Sequence, residues 1–232
     1  MDRTGQNRPN GGRGAPPVRV STRCRGEAAV NMTIAMPSTN TPSKNKQEQT
    51  DRPFLSDIQE LRRRAREHMD MGAVTSAYKA DRKKVISILN EVLATEIVCV
   101  LRYKRHYYMA SGIHAQAVAD EFLEHANEEQ THADIVAERI VQLGGEPDFN
   151  PEGLATKSHS QYVEGKSLLD MVREDLVAER IAVESYSEII RYLGDDDPTT
   201  RIAMEAIMSK EEEHADDMKT LLERLGHEET KA

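Results

Sequence analysis

The sequence of 232 residues carries two copies of a pattern that can bind metal ions. In each copy a lone glutamate is followed, 33 residues later in the first copy and 32 in the second, by a glutamate and a histidine three residues apart. The six residues are Glu96, Glu129 and His132 in the first copy and Glu179, Glu211 and His214 in the second. Residues i and i+3 share a helix face, so each pair can direct both side chains into one interior. The pattern therefore predicts a metal centre inside a helical bundle.

The residue types indicate which metals this centre would hold. A buried carboxylate without a partner costs on the order of several kcal/mol, so four of them require cations. Two divalent ions balance four carboxylates, and oxygen ligands with two imidazoles favour iron or manganese, whereas a structural zinc site would use cysteines. We expect Glu129 and Glu211 to bridge the two ions. Glu96 and Glu179 would be terminal ligands, and each histidine would bind one ion.

Apolar residues at helical spacing surround each of these residues and predict four long helices, A to D. The predicted bounds are Asp81 to about Ala110 for helix A, Ala115 to Leu143 for helix B, Ser167 to about Gly194 for helix C, and Asp197-Pro198 to Gly226 for helix D. The A–B and C–D connections are short, so each pair should be antiparallel. The B–C connection is long enough to cross the bundle and to include a short helix. The predicted fold is all-α, a four-helix bundle with one long crossover between helices B and C.

Composition divides the chain into four segments. We predict a disordered basic N-terminal arm over residues 1–52, an accessory helix and linker over 53–80, the di-metal bundle over 81–226, and a C-terminal tail over 227–232. The arm is rich in proline, glycine and polar residues and lacks a hydrophobic period. The net charge of −9 combines a balance of +6 over residues 1–80 with −15 over the remainder.

The accessory helix is expected between Pro53 and about Met71. Ser56 followed by Gln59 matches a capping box. An apolar stripe faces one side of this helix and should pack on the bundle or on a neighbouring subunit; it comprises Leu55, Ile58, Leu61, Ala65 and Met69.

The remaining composition excludes other classes of protein. No apolar run approaches the roughly 20 residues that span a bilayer, so no membrane association is expected. No apolar segment typical of a secretory signal follows the early arginines. The two cysteines, Cys24 and Cys99, form no disulfide framework, which favours a cytoplasmic protein. Cys99 is expected to be a small buried residue.

The segments that carry the six residues resemble those of the bacterioferritin branch of the ferritin-like superfamily. The resemblance covers residues 81–226, and Tyr103 and His106 follow Glu96 at the family's spacing of seven and ten residues. The matching segments are Leu-Asn-Glu-x-Leu-Ala-Thr-Glu96, Glu129-Gln130-Thr131-His132, Asp175-Leu176-x-x-Glu179 and Glu211-Glu212-Glu213-His214.

Two departures from this family refine the expectation. Haem-binding bacterioferritins carry methionine after the first bridging glutamate, and Gln130 stands there instead, so no haem is expected. Only six residues follow Gly226, too few for the fifth helix of the 24-subunit shells, so a homo-oligomeric shell of twelve subunits is favoured. The chain is most similar to Dps-like ferritins that keep a bacterioferritin-type centre within one bundle.

The resemblance implies a ferroxidase that stores or detoxifies iron, with two iron ions per subunit, manganese being possible in their place. Fe(II) would be oxidised by O2 or H2O2, and Tyr103 would donate an electron or orient a ligand; otherwise it is a core tyrosine. Two alternatives stay open. One is a di-iron or di-manganese peroxidase or catalase without storage. The other is a non-enzymatic scaffold that binds nucleic acid through the basic arm, which we favour less than a mobile tail.

Overall fold

The computed structural model describes residues 57–113 and 115–229, and this part of the chain is helical, without strands. In chain order the elements are α1 (Ile58–Arg64), a short 3-10 helix (Met69–Met71), α2 (Arg82–Met109), α3 (Ala115–Gln142), α4 (Leu154–Lys157), α5 (Leu168–Leu193) and α6 (Pro198–Glu229). The predicted helices A to D are α2, α3, α5 and α6. None of the described helices is both long and apolar enough to cross a membrane.

Side-chain caps fix where the long helices begin. The carboxylate of Asp81 accepts a hydrogen bond from the backbone N–H of Lys84, and Ser167 Oγ accepts one from Asp170 in the same way. Each satisfies a donor that lacks a partner in the first helical turn. The predicted starts of helices A and C are confirmed by these contacts.

The four long helices form two antiparallel hairpins, as the sequence predicts. Helix α2 packs along α3, and α5 packs along α6. Tyr103 on α2 contacts Phe122 on α3, and their neighbours pair in opposite order, because Glu96 earlier on α2 approaches His132 later on α3. The crossover between α3 and α5 contains α4, the expected short helix.

Two apolar clusters fill the bundle, one toward each end, and the six predicted residues lie between them. The larger cluster includes Leu89, Ile140 and Met204, all fully buried. The smaller includes Phe122 and Met218, also fully buried. Burial of each such side chain stabilises the bundle by roughly 1.5–3 kcal/mol. This stabilisation offsets the cost of burying the polar layer between the two clusters.

The crossover is held along α2 by side chains of that helix. Asn90 accepts a hydrogen bond from the backbone N–H of Asp148 at 2.8 Å, and Thr95 Oγ1 accepts one from His159 at 2.9 Å. Arg102 donates to the carbonyl of Gln161 at 3.3 Å. These contacts fix the long connection against the helix that carries Glu96.

Both ends of the described region differ from the sequence prediction. The accessory helix is shorter than predicted and consists of α1. Asp57 caps its start by accepting hydrogen bonds from two backbone N–H groups, and the helix ends at Arg64. The predicted arm, with Leu55 and Ser56, lies outside the described residues. In this single chain the stripe does not pack on the bundle: Ile58 is 59% exposed and Met69 is 76% exposed. At the other end α6 continues past Gly226 to Glu229, so the predicted end of helix D was wrong.

Candidate metal centre

The structure brings all six predicted residues together in the middle of the bundle. We refer to them as the six-residue cluster. Their ligand atoms form two groups, and within each group all atoms lie within 4.8 Å of one another. The first group is Glu96, Glu129, His132 and Glu211; the second is Glu129, Glu179, Glu211 and His214. Glu129 and Glu211 belong to both groups, which is the arrangement expected of bridging carboxylates.

The antiparallel packing of α3 and α6 creates this sharing. His132 Nδ1 lies 2.8 Å from Oε1 of Glu211, and His214 Nδ1 lies 3.3 Å from Oε1 of Glu129. Each histidine therefore faces the glutamate of the opposite helix as well as the one three residues before it. Glu129 and Glu211 stand between the two histidines. Each could therefore offer a carboxylate oxygen to a metal ion on either side.

Unpaired polar atoms show that the cluster fits metal ions. Buried polar atoms in folded proteins almost always have a hydrogen-bond partner. Here seven such atoms of the cluster have none: Oε2 of Glu96, Oε1 of Glu129, Nδ1 of His132, Oε2 of Glu179, both carboxylate oxygens of Glu211, and Nδ1 of His214. Once both imidazoles have lost the proton on Nδ1, all seven atoms are electron-pair donors directed into one space. Two divalent cations would satisfy them and balance the four carboxylates.

Sequence comparison agrees with the fold. The family model described as a ferritin-like domain matches residues 86–227, well over half of the chain. The chain belongs to the ferritin-like family. It is 30% identical over 138 residues to the bacterioferritin of Desulfovibrio desulfuricans, covering 59% of this chain and 73% of that protein. The relationship therefore lies with the bacterioferritin branch, as the ligand segments predict.

Two solved structures show the same relationship for this ferritin-like chain. The dodecameric thioferritin of Bacteroides fragilis, a bacterioferritin-related protein, is 28% identical with a TM-score of 0.63, covering 66% of this chain and 92% of that one. A ferritin-like, diiron-carboxylate protein of Bacillus anthracis is 25% identical with a TM-score of 0.55, covering 61% and 97%. The bundle is thus the part of the chain that these proteins share.

Two tyrosines form hydrogen bonds with Glu96 and Glu179 of the cluster. Tyr186 donates its hydroxyl to Oε1 of Glu96 at 2.6 Å, and Tyr103 donates to Oε1 of Glu179 in a short contact. Tyr103 was predicted to act beside Glu96, but its hydroxyl meets the glutamate of the other hairpin. The role of Tyr186 was missed, although its spacing of seven residues from Glu179 repeats that of Tyr103 from Glu96.

A third outer contact orients one histidine. Nε2 of His214 lies 2.7 Å from Oε2 of Glu128, which leaves Nδ1 directed into the cluster. Lys210 approaches the other oxygen of Glu128 at 3.6 Å. A carboxylate on the far nitrogen of a metal-binding histidine fixes the ring and raises its basicity. Glu128 directly precedes the predicted ligand Glu129. Its position in the sequence did not distinguish it from the exposed acidic residues of the same helix.

A buried ion-pair network lies between α2 and α5. Asp175 accepts a hydrogen bond from Nε of Arg102 at 2.8 Å and contacts Nδ1 of His106 at 2.8 Å through its other oxygen. Cys99 is buried as expected, and its sulfur lies 3.5 Å from Nη2 of Arg102. Burial raises the pKa of the Cys99 thiol, so it stays protonated. Asp175 thus joins Arg102 and His106 in a network outside the six-residue cluster.

The carboxyl groups of the cluster titrate in two different ways. Burial, and then the charge of Glu129, raises the pKa of Glu96 to about 8. Burial and the charges of Glu129 and Glu211 also raise the pKa of Glu179 well above its usual range. Burial alone would also raise the pKa of Glu129 and of Glu211. Contacts with the two histidines outweigh this effect and lower the pKa of each. Without metal, therefore, protons reside on Glu96 and Glu179.

The histidines of the cluster take up protons as well. Burial lowers the pKa of an imidazole, but the surrounding carboxylates outweigh it and raise the pKa of His132 to about 12 and of His214 to about 11. At neutral pH the metal-free cluster then holds two imidazolium and two carboxylate charges and is neutral. Two divalent ions with four carboxylates reach the same neutrality, so cations and protons compete for one space.

Proposed function

We propose that this chain is a ferroxidase that takes up Fe(II) and stores or detoxifies the ferric product. The observation that carries the proposal is the convergence of seven unpaired buried atoms on two positions that share Glu129 and Glu211. Membership of the ferritin-like family and the similarity to a bacterioferritin support it. The bound pair of ions would supply the redox chemistry of this reaction.

The chain's residues bind the substrate ions and control their surroundings. A surface cavity of about 350 Å³ opens between α3 and α6 and reaches His132, with Glu128 and Lys210 on its rim. Ions would enter here, because it connects solvent with the cluster. Glu96 and Glu179, each held by a tyrosine hydroxyl, keep one carboxylate at each end of the pair. The apolar clusters on both sides exclude other water from the site.

The reaction removes one electron from each of two ferrous ions. The two electrons, with two protons, reduce O2 to H2O2 or H2O2 to two waters. The ligands lose their own protons when the ions bind, which leaves acceptor oxygens around the product. We propose iron as the principal metal, since carboxylate with imidazole suits it, and manganese fits the same ligand types.

We further propose a shell of twelve subunits without haem. The dodecameric assembly of the Bacteroides fragilis relative supports the number. Gln130, where a thioether would stand, is exposed, and its amide donates a hydrogen bond to Asp134 at 3.1 Å. That side chain has its own partner on α3 and lacks a thioether for haem iron.

The test compares two adjacent glutamates on α6. Glu211→Ala removes a residue shared by both positions, whereas the side chain of Glu212 is exposed. Glu211→Ala should lose stoichiometric binding of two Co²⁺ ions and rapid oxidation of Fe(II), measured by calorimetry and by stopped-flow absorbance. Glu212→Ala should keep both. Equal oxidation rates in the two variants would refute the proposal.

A further inference from the structure

A second cluster of metal-binding side chains lies in the groove between α3 and α6, next to the six-residue cluster but separate from it. It consists of Glu121 and His125 on α3 and Asp217 on α6, with one ligand atom from each within 4.8 Å of the others. Nε2 of His125 lies 3.6 Å from Oε1 of Glu121 and 3.7 Å from Oδ2 of Asp217. Two ligands of one first-row metal ion stand roughly 3 to 3.6 Å apart, which is close to these separations.

The imidazole of this cluster is buried while the carboxylates reach solvent. The side chain of His125 is 2% exposed, that of Glu121 is 32% exposed and that of Asp217 is 45% exposed. Within the described part of the chain, Nε2 of His125 forms no hydrogen bond, and its nearest acceptors are the two carboxylates beyond hydrogen-bond distance. A buried imidazole thus presents Nε2 to two carboxylates that solvent can reach.

A hydrogen-bond chain fixes which nitrogen of His125 carries the proton. Tyr103 has one hydroxyl proton and donates it to Oε1 of Glu179. The tyrosine oxygen can then only accept at the other side, and Nδ1 of His125 lies 3.2 Å from it. Nδ1 therefore holds the proton, and Nε2 presents its lone pair to the two carboxylates. Metal-binding histidines are commonly oriented in this way through the second nitrogen.

Three electron-pair donors that face one another without a proton between them repel unless a cation lies among them. Two carboxylates and a neutral imidazole carry a charge of −2, which one divalent ion neutralises. Burial and the charge of Asp217 raise the pKa of Glu121, as expected when carboxylates crowd without a counter-ion. No cationic side chain forms an ion pair with Glu121 or Asp217 within the described region.

We propose that Glu121, His125 and Asp217 bind a third divalent first-row transition-metal ion, outside the di-metal centre. The nitrogen ligand favours such ions over Mg²⁺ or Ca²⁺. The exposed carboxylate side leaves room for water to complete the coordination shell. Because His125, Tyr103 and Glu179 form one chain of hydrogen bonds, the third ion is connected to a terminal residue of the six-residue cluster.

The experiment counts Co²⁺ ions bound per subunit by calorimetric titration of the full chain, and it does not depend on iron oxidation. Wild type should bind three ions. The double variant Glu121→Gln with Asp217→Asn should bind two, since both substituted side chains are partly exposed and the fold should persist. Asp216→Asn, at the exposed neighbour of Asp217, is the matched control and should bind three. The variant Tyr103→Phe removes the acceptor for Nδ1 of His125 and should lower the affinity for the third ion about 10- to 100-fold.

Anomalous diffraction from crystals soaked in CoCl2 locates the ion. A peak between Nε2 of His125 and the two carboxylates supports the proposal. Its loss in the double variant, with the other two peaks retained, separates this site from the di-metal centre. Equal ion counts in wild type and the double variant, or no peak at these three residues, would overturn the proposal, even where Fe(II) oxidation itself proceeds as proposed above.

Discussion

Tyr103 and Tyr186 occupy equivalent places in the two hairpins and exchange partners between them. Each stands seven residues after a buried glutamate, yet each donates its hydroxyl to the glutamate of the other hairpin. Because α2 and α5 run antiparallel, a residue two turns after one glutamate lies level with the other. The internal repeat of the sequence therefore becomes a pseudo-twofold relationship across the six-residue cluster.

The first prediction tests this symmetry. Tyr186→Phe removes the donor to Glu96 and Tyr103→Phe removes the donor to Glu179, so each should weaken binding of two Co²⁺ ions by about 10- to 100-fold, as expected for groups that orient ligands. Fe(II) oxidation should slow in both variants. Tyr108→Phe, at an exposed tyrosine of α2, should leave affinity and rate unchanged. Wild-type affinity in Tyr186→Phe would show that this hydroxyl does not position Glu96.

The sequence predicted which six residues meet inside the bundle because the information needed is local. A glutamate and a histidine three residues apart share a helix face whatever the rest of the chain does, and the two caps at Asp81 and Ser167 depend on neighbours within one turn. The contact between Tyr186 and Glu96 spans 90 residues and exists only because α2 packs against α5. It required the three-dimensional register of the two helices.

The two errors at the ends of the chain have local causes too. Gly194 ends α5 with φ of 48°, in the left-handed region that favours glycine, whereas no positive φ occurs at Gly226 and α6 continues through it. A glycine inside a helix costs only about 1 kcal/mol relative to alanine, so it need not end one. The accessory helix is short, and none of its apolar side chains is fully buried in a single chain.

The second prediction concerns assembly. The stripe of α1 exposes Ile58 and Leu61, and a subunit contact would cover them. Light scattering of wild type should give the mass of twelve subunits. Ile58→Glu with Leu61→Glu should produce smaller species, because a contact would bury unpaired charge. Gln59→Glu, also on α1 and already exposed, should retain the wild-type mass. An unchanged mass in the double variant would exclude the stripe from the contact.

The third prediction concerns the start of α6. Asp197 accepts hydrogen bonds from the backbone N–H of Thr200 at 3.0 Å, from Nη2 of Arg139 at 2.9 Å and from the hydroxyl of Tyr78 at 3.0 Å. Asp197→Ala should lower the free energy of unfolding by about 2 kcal/mol through loss of the cap. Urea denaturation measures this, and Asp195→Ala, at an exposed acid nearby, should cost much less.

This effect should depend on pH in a defined direction. Burial opposes ionisation of Asp197, but hydrogen bonds from Thr200 and the charge of Arg139 outweigh it and lower its pKa. A lowered pKa gives stability that is present above the ordinary aspartate value of about 4 and is lost as the pH falls through the folded-state pKa. The difference between wild type and Asp197→Ala should shrink in that acidic range. A constant difference down to the lowest pH at which the chain folds would contradict the assigned contacts.

The fourth prediction follows from the competition between protons and metal ions. At pH 7 the metal-free cluster holds protons on His132, His214 and Glu96, whose pKa values are raised to about 12, 11 and 8. Binding of divalent ions must release these protons, so affinity for Co²⁺ should fall as the pH falls. Calorimetry in buffers of different ionisation enthalpy measures the release directly. Binding without proton release would show that the ions do not occupy this cluster.

The stability of the metal-free protein should change in the opposite sense over the range in which Glu96 titrates. Its pKa is raised from the ordinary 4.5 to about 8 in the folded state, so between these values the folded state holds a proton that the unfolded state lacks. Stability then falls as pH rises, at up to about 1.4 kcal/mol per pH unit for one group. Glu96→Gln should reduce this slope between about pH 5 and pH 8, whereas Glu91→Gln, at a less buried glutamate of α2, should retain it. Saturation with Co²⁺ should raise the melting temperature of wild type most at the upper end of this range, where the ions replace protons that the free cluster has begun to lose.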